Sequence, residues 1–185
     1  MRPTSQATIL NYGALSRPTV KITLTKDLNM VTYLALAGAG HFTGALLFYF
    51  FHRCIFHGPL RRWPILKGWA RIHANHHRNP EDPGAFFFPW WANLMIWSLA
   101  VGLFLVSPAT GAGLFSFFGL YIYRHRQAHL SSKSRWATHH QSHHYIAPQS
   151  NFSAAWPIID WAFGTYKYYS PQIVEHAVSR RRSRL

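Results

Sequence analysis

The chain has 185 residues and a formal net charge of +14, with 19 Lys and Arg against five Asp and Glu. Such an excess of positive charge serves nucleic acid or an anionic membrane surface. A soluble nucleic-acid binder needs no long uncharged stretches, whereas residues 30–51 and 84–123 contain no Lys, Arg, Asp or Glu. We therefore expect a one-domain membrane protein with no nucleic-acid partner, and the single cysteine, Cys54, excludes an intramolecular disulfide.

The first predicted membrane element is a helix over residues 30–51, which follows a polar N-terminal segment, residues 1–29. A helix of that length extends about 33 Å, enough to cross a hydrocarbon core of about 30 Å. The Gly58-Pro59 pair is expected to end this helix. Residues 61–80 are basic and contain Trp63 and Trp69, which is typical of a segment at the level of the lipid headgroups.

The second apolar stretch, residues 84–123, predicts a helical hairpin that enters the bilayer and returns, either spanning it or re-entrant. Residues 107–111 separate its two halves, and a turn-forming run at residues 79–84 precedes it. The returning helix is expected to continue to His125 and His129 at its polar end. Residues 30–170 are thus predicted to form a membrane-embedded domain, and residues 171–185 a basic C-terminal tail.

The distribution of Lys and Arg predicts the orientation in the membrane. The positive-inside rule places residues 53–83 and 124–185 together on the cytoplasmic side of a bacterial inner membrane or the endoplasmic reticulum. The expected fold class is all-α. It is an integral membrane protein with a transmembrane helix, a helical hairpin and a cytoplasmic histidine-rich helical cap.

Ten of the 13 histidines fall into four groups at metal-ligand spacing. These are His52 and His57; His73, His76 and His77; His125 and His129; and His140, His143 and His144. Helical positions i, i+3 and i+4 lie on one face, so each group of three is expected to point into one space that can hold a metal. Residues 52 and 57 lie about 140° apart on an ideal helix and are expected to flank the site.

Neutral imidazole is a common ligand of transition metals. Ten imidazoles exceed the coordination number of one ion, which indicates two ions. A carboxylate di-iron site needs four Glu, and this chain has only Glu81 and Glu175. Structural zinc sites usually include Cys pairs. The residues therefore predict an all-histidine dinuclear centre, with no further catalytic residue and no organic-cofactor site identified.

The spacing of the four groups resembles the fatty acid hydroxylase superfamily of membrane proteins, which contains sterol desaturases and sphingolipid hydroxylases. The run HHRNPED at residues 76–82, followed by FFP at residues 87–89, is similar to the stretch after the second histidine group in fatty acid 2-hydroxylases. Asn151-Phe152 and the run DWAFGT at residues 160–165 resemble the closing motif of the family. The resemblance covers about residues 45–168.

The resemblance implies that the ten histidines hold two iron ions. Zinc is expected as a substitute in purified protein, because imidazole binds it well. It also implies oxidation of a C–H bond in a fatty acyl, sphingolipid or sterol-like substrate that enters from the bilayer, with dioxygen and two electrons. A separate electron donor, namely a cytochrome, ferredoxin or reductase, is expected. Two alternatives stay open. They are a carotenoid ring hydroxylase, which residues 57–60 resemble, and a non-catalytic membrane metal-binding protein.

The chain departs from the family pattern at three places. Residues 121–124 lack the acid expected before the third histidine group, and Ser153 stands where the closing motif usually has Gly. His139 could replace His140 as a ligand, although His140 repeats the geometry of the group at residues 73–77. Of the remaining histidines, His41 is expected to make a hydrogen bond to a neighbouring carbonyl, and His176 to be solvated.

Overall fold

The longest apolar helix begins after Asn29, whose side-chain oxygen accepts a hydrogen bond from the backbone N–H of Thr32 at 2.8 Å. The computed structural model describes residues 29–82, 88–130 and 134–184. All regular secondary structure in these ranges is helical, which confirms the all-α prediction. Apart from Asn29, the predicted N-terminal segment lies outside the described residues, as does the end of the turn predicted at residues 79–84.

The described α-helices follow one another with short connections. They are α1 (Met30–Phe50), α2 (Lys67–Arg78), α3 (Trp90–Val106), α4 (Pro108–Leu130), α5 (Arg135–Tyr145), α6 (Pro157–Ala162) and α7 (Pro171–Arg182). A π-helix, Phe51–Phe56, continues α1 without a break, and a 3-10 helix, Pro59–Arg62, precedes α2. The predicted stop at Gly58-Pro59 and the predicted break at residues 107–111 therefore coincide with helix boundaries.

Among the described helices, α1 together with the π-helix is long and apolar enough to cross a membrane, with 27 residues from Met30 to Phe56. Helix α3 is apolar but has 17 residues, a length of about 26 Å. Large apolar side chains stay exposed on both, including Leu34 at 63%, Leu99 at 62% and Leu105 at 73%. An apolar surface of this extent suits contact with lipid better than contact with water.

Helices α1 and α4 pack with their backbones in close approach, because glycines on each helix face the backbone of the other. A Cβ at Gly113 of α4 would overlap the carbonyl oxygen of Ala37, and a Cβ at Gly40 of α1 would overlap the carbonyl oxygen of Thr110. Small residues that let two helices approach in this way are typical of packing within membranes. The contact fixes α4 beside α1, so the polar ends of both helices lie together.

A buried apolar cluster joins the end of α1 to α4 and to the chain around α6. It includes Tyr49, Phe117, Tyr121, Phe152 and Ile159. The cluster holds the loop at residues 150–156 against the end of α1, where the first histidine group begins.

His41 does not make the expected hydrogen bond to a carbonyl. Its Nδ1 lies 2.7 Å from the Ser116 hydroxyl, and its Nε2 accepts a hydrogen bond from the Trp156 indole N–H at 3.0 Å. The serine and the indole, both outside the sequence neighbourhood of His41, satisfy the ring instead. His176 on α7 is exposed, as expected.

Candidate metal centre

Two clusters of imidazoles lie at the polar ends of the long helices. We call them the first cluster and the second cluster. The first cluster consists of His52, His57, His73, His77 and His143, and the second of His76, His125, His129, His140 and His144. Within each cluster, one nitrogen from each of the five rings lies within 4.8 Å of all the others. All ten histidines singled out from the sequence are therefore brought together.

The π-helix brings His52 and His57 into the same cluster. In a π-helix residues five apart are joined by a backbone hydrogen bond, and the His57 N–H accordingly lies 3.2 Å from the His52 carbonyl oxygen. The two rings are 5.1 Å apart between centroids. The separation of about 140° expected for an ideal α-helix is thus wrong here, because one wider turn places positions i and i+5 side by side.

The structure divides each group of three histidines between the two clusters. On α2, His73 and His77 belong to the first cluster and His76 to the second. Neighbouring helical positions differ by about 100°, so His77 lies one turn after His73 on the same side of α2, whereas His76 turns away from them. Helix α5 shows the complementary division, with His143 in the first cluster. The expectation that all three rings of a group share one space is therefore wrong. The two clusters are adjacent, with 4.3 Å between the ring centroids of His77 and His144.

The spacing between the Nε2 atoms fits coordination of one ion per cluster. In the first cluster, the Nε2 of His73 lies 3.0 Å from that of His52 and 2.9 Å from that of His57. In the second, the Nε2 atoms of His129 and His140 are 3.1 Å apart. Two nitrogens that bind one ion at about 2.1 Å and at right angles lie about 3.0 Å apart.

The hydrogen bonds of the Nδ1 atoms of His52 and His143 show that the Nε2 atoms of these rings face the cluster. The Nδ1 of His52 lies 2.5 Å from the carbonyl oxygen of Phe152, and the Nδ1 of His143 lies 2.7 Å from that of Ser150. A carbonyl oxygen only accepts, so each Nδ1 carries the proton, and in the neutral ring Nε2 presents a lone pair to the cluster. Several lone pairs converging on one point form a site for a cation.

Burial keeps these imidazoles neutral. It lowers the pKa of His76 and of His77 to about 3, with a smaller effect from neighbouring imidazoles. Burial, followed by the nearby charge of Arg61, lowers the pKa of His57 to about 4. Metal binding requires neutral imidazole, so these rings can take up an ion at neutral pH without first losing a proton.

Asp160 organises the loop that supplies the two carbonyl acceptors. Its carboxylate is fully buried and accepts hydrogen bonds from the backbone N–H of Phe152 at 2.7 Å and of Ser153 at 2.8 Å. It also lies 3.0 Å from the Nε2 of His139, which is therefore engaged outside both clusters. His140, not His139, lies in the second cluster.

Sequence reasoning assigned no role to Asp160 or to the neighbouring Asn151. Asn151 adopts a left-handed backbone conformation with φ of 57°, and its side chain bonds both the N–H and the carbonyl of Lys167, at 2.7 and 2.8 Å. Both residues lie in the closing motif, so their positions were marked by the resemblance although their contacts were not. The acid expected before the third histidine group has no counterpart there, and Tyr121 instead stacks on the ring of His125 at 5.3 Å.

An apolar cavity of about 300 Å³ lies among the membrane-facing helices. Its walls come from α1, α3 and α4, and include Leu47, Trp97, Leu99, Leu114 and Ile122. A smaller space beside the histidines is lined by His52, His73, His76, His125 and His140. The cavity and this smaller space share Phe48, Phe56, Phe88 and Tyr121 as a common wall.

Comparison with known proteins gives two matches. The family described as fatty acid hydroxylase matches residues 38–165, a range that contains all ten histidines of the clusters. Among solved structures, the chain is similar to full-length Scs7p, of which only the hydroxylase domain is visible, with a TM-score of 0.64 and 24% identity. The likeness covers 80% of this chain and 60% of that one, and it shows the fold. A comparison with curated proteins finds no match.

Proposed function

We propose that this chain, which belongs to the fatty acid hydroxylase family, is a membrane-bound, dioxygen-dependent lipid hydroxylase with two iron ions at its histidine clusters. The observation that carries the proposal is that the apolar cavity and the smaller space beside the histidines share four lining residues. An apolar chain that fills the cavity from the bilayer would lie next to the histidines, on the other side of this shared wall.

The donor set fits two iron ions. Five imidazole nitrogens converge in each cluster, and neither cluster includes a carboxylate or a thiol. Imidazole suits iron, copper, nickel and zinc, so zinc can replace iron in purified protein. Iron, when bound, supplies the activation of dioxygen. His52, His57, His73, His77 and His143 would hold one ion, and His76, His125, His129, His140 and His144 the other.

The protein's part in the reaction is to position the substrate and exclude water. The aromatic rings of Phe48, Phe56, Phe88 and Tyr121 separate the membrane side of the cavity from the histidines. A substrate chain in the cavity would pack against these rings, with its reacting carbon on the side that faces the clusters. The proposed substrates are therefore fatty acyl, sphingolipid or sterol-like lipids taken from the bilayer.

The proposed reaction converts a C–H bond to an alcohol. It consumes one dioxygen, two electrons and two protons, and it releases one water besides the hydroxylated lipid. A separate cytochrome, ferredoxin or reductase would supply the electrons. Arg61, Arg62 and Arg71 are exposed, and the charge of Arg61 acts on His57 of the first cluster, the less buried of the two. A basic surface there favours an acidic electron carrier.

Lipid mass spectrometry of cells grown under ¹⁸O₂ tests the proposal. Cells that express the wild type, with sufficient iron and a competent electron donor, should accumulate a membrane lipid with one added labelled oxygen. Cells expressing His76→Ala should not, whereas His176→Ala, at an exposed position of α7, serves as the matched active control. Identical lipid profiles in wild type and His76→Ala would contradict the proposal and favour a non-catalytic metal-binding protein. A labelled pigment would instead favour the carotenoid alternative, and loss of two hydrogens without added oxygen would indicate desaturation.

A further inference from the structure

Helix α7 lies beyond the residues matched by the family, yet it contacts α2 and α5, two helices that carry histidines of the clusters. We propose that Arg181 of α7 is a positioning residue for His77, and that α7 clasps the end of α2 to the end of α5 at the metal centre. This proposal rests on the two-ion site proposed above.

The first element of the clasp is a cap on the C-terminus of α2. The last carbonyl groups of an α-helix have no partner within the helix. One guanidinium nitrogen of Arg181 donates to the carbonyl oxygen of His77 at 3.1 Å and to that of Arg78 at 2.9 Å. Cationic side chains favour this end of a helix. Arg181 therefore holds the backbone of a proposed metal ligand itself.

The second element passes through Glu81, in the segment that follows α2. The Arg182 guanidinium lies 2.6 Å from its carboxylate, and the Tyr145 hydroxyl donates to the same oxygen at 3.2 Å. Tyr145 is the last residue of α5 and directly follows His144. The Arg182–Glu81 pair is largely exposed, so it contributes geometry more than stability.

Buried apolar side chains seat α7 in this position. Val174 and Val178 lie on one side of the helix, with 1% and 7% of their surface exposed, and α7 packs against α5. The two valines are four residues apart and so form a single stripe. Arg181 is half-buried beyond this stripe, whereas the neighbouring Arg180 is exposed. The helix therefore presents one arginine to α2 and another to solvent.

The clasp acts mainly on the first cluster. The Nε2 of His77 lies 3.0 Å from that of His73 and 3.1 Å from that of His143, so movement of the last turn of α2 displaces a ligand from this cluster directly. The His76 ring, although on the same turn, is 96% buried among rings of the second cluster, His129 and His144 among them. Loss of Arg181 should therefore weaken one metal site and spare the other.

Titration of the full-length, metal-free protein with Co²⁺ in lipid nanodiscs tests the clasp. Arg181→Met retains the apolar length of the stem and removes the donors, Arg181→Lys restores a charged donor, and Arg180→Met is the matched control. Calorimetry and the visible absorption of Co²⁺ report each binding step. His143→Ala and His140→Ala assign the steps to the first and second clusters. Loss of a group that orients a metal ligand typically costs about 10–100-fold in affinity.

We expect Arg181→Met to weaken the first-cluster ion at least about tenfold and the second-cluster ion little. Arg181→Lys should recover part of that loss, and Arg180→Met should bind as the wild type does. The clasp is overturned if Arg181→Met matches Arg180→Met at both ions, or if both ions weaken equally, as a general loss of folding would produce. A wild type that binds fewer than two Co²⁺ would overturn the two-ion site itself and the clasp with it.

Discussion

The rings of His52 and His143 are oriented by carbonyl oxygens of a short loop, which Asp160 in turn holds in place. Each oxygen of the Asp160 carboxylate accepts two hydrogen bonds, and its side chain has no exposed surface. A buried acceptor that organises several donors at once is costly to change. At the scale of the residue, the proposed metal centre therefore depends on Asp160, which belongs to neither histidine cluster.

Asp160→Asn should lower both stability and metal content. The amide introduces a donor opposite groups that already donate, so at least one buried hydrogen bond is lost, at a cost of about 1–3 kcal/mol. The measurement is the melting temperature in detergent together with metal per chain after purification. Glu175→Gln, an exposed acid on α7, is the control and should change neither. Wild-type melting and metal content in Asp160→Asn would contradict this role.

The metal-free protein should become less stable as the pH falls. The pKa of His76 and of His77 is about 3 in the folded protein, against an ordinary value of 6.5. Between these values the unfolded chain binds more protons than the folded one, so acidification from pH 6.5 downward favours unfolding. Melting temperatures of chelator-treated protein between about pH 7.5 and pH 5 measure this dependence. His77→Ala should reduce the slope and His176→Ala should leave it unchanged, whereas a melting temperature that rises on acidification would contradict the account.

The histidine ligand candidates were predictable residue by residue, but their division was not. A spacing of three and four residues places imidazoles on one side of a helix regardless of how that helix packs in the fold. Whether His76 joins His73 or turns toward His125 depends on the neighbouring helices, which spacing alone does not place. The same limit applies to His139 and His140, where the choice follows from the position of Asp160.

At the scale of the element, the α1–α4 contact brings the two halves of the site together. Helix α1 leads into His52 and His57, and α4 carries His125 and His129. Their close approach depends on glycines whose replacement would push the helices apart. The lengths and breaks of these helices followed from runs of uncharged residues. The π-helix did not, because a single wider turn leaves no pattern of apolar residues distinct from that of an α-helix.

Gly113→Ala should destabilise the protein by about 1–3 kcal/mol, the usual cost of overpacking. The added methyl group would overlap the carbonyl of Ala37 on α1, and a backbone atom cannot move away cheaply. Gly119→Ala, on the same helix, is the matched control because nothing lies within 4 Å of its added carbon. It should be neutral or slightly stabilising, since Ala favours helix more than Gly does. Equal melting temperatures for the two variants in detergent would contradict the close packing.

At the scale of the whole molecule, the apolar helices and the family indicate association with a membrane. The proposed orientation places both histidine-bearing segments on the cytoplasmic face. That orientation was predicted from the distribution of Lys and Arg. The distribution indicates which segments face the cytoplasm, but it carries no information on how the helices pack. The cavity and the junction of the two clusters were beyond sequence reasoning, because their walls come from helices distant along the chain.

Labelling with a membrane-impermeant thiol reagent tests this orientation. In a Cys54→Ser background, single cysteines at Gly68 and at Gln149 lie on exposed positions of the two segments. Both should react from the cytoplasmic side and remain protected in intact cells, with denatured samples showing that each can react. Labelling of one site from the opposite side would separate the two segments and contradict a shared metal centre.

The two clusters of five imidazoles are proposed to hold two metal ions, and counting metal per chain tests this most directly. Elemental analysis of well-folded protein from iron-supplied cells should give close to two ions, counting iron and any substituting zinc together. His143→Ala, in the first cluster, and His140→Ala, in the second, should each lower the count toward one, and His176→Ala should leave it at two. One ion or fewer in the wild type, or an unchanged count in both cluster variants, would contradict the dinuclear centre.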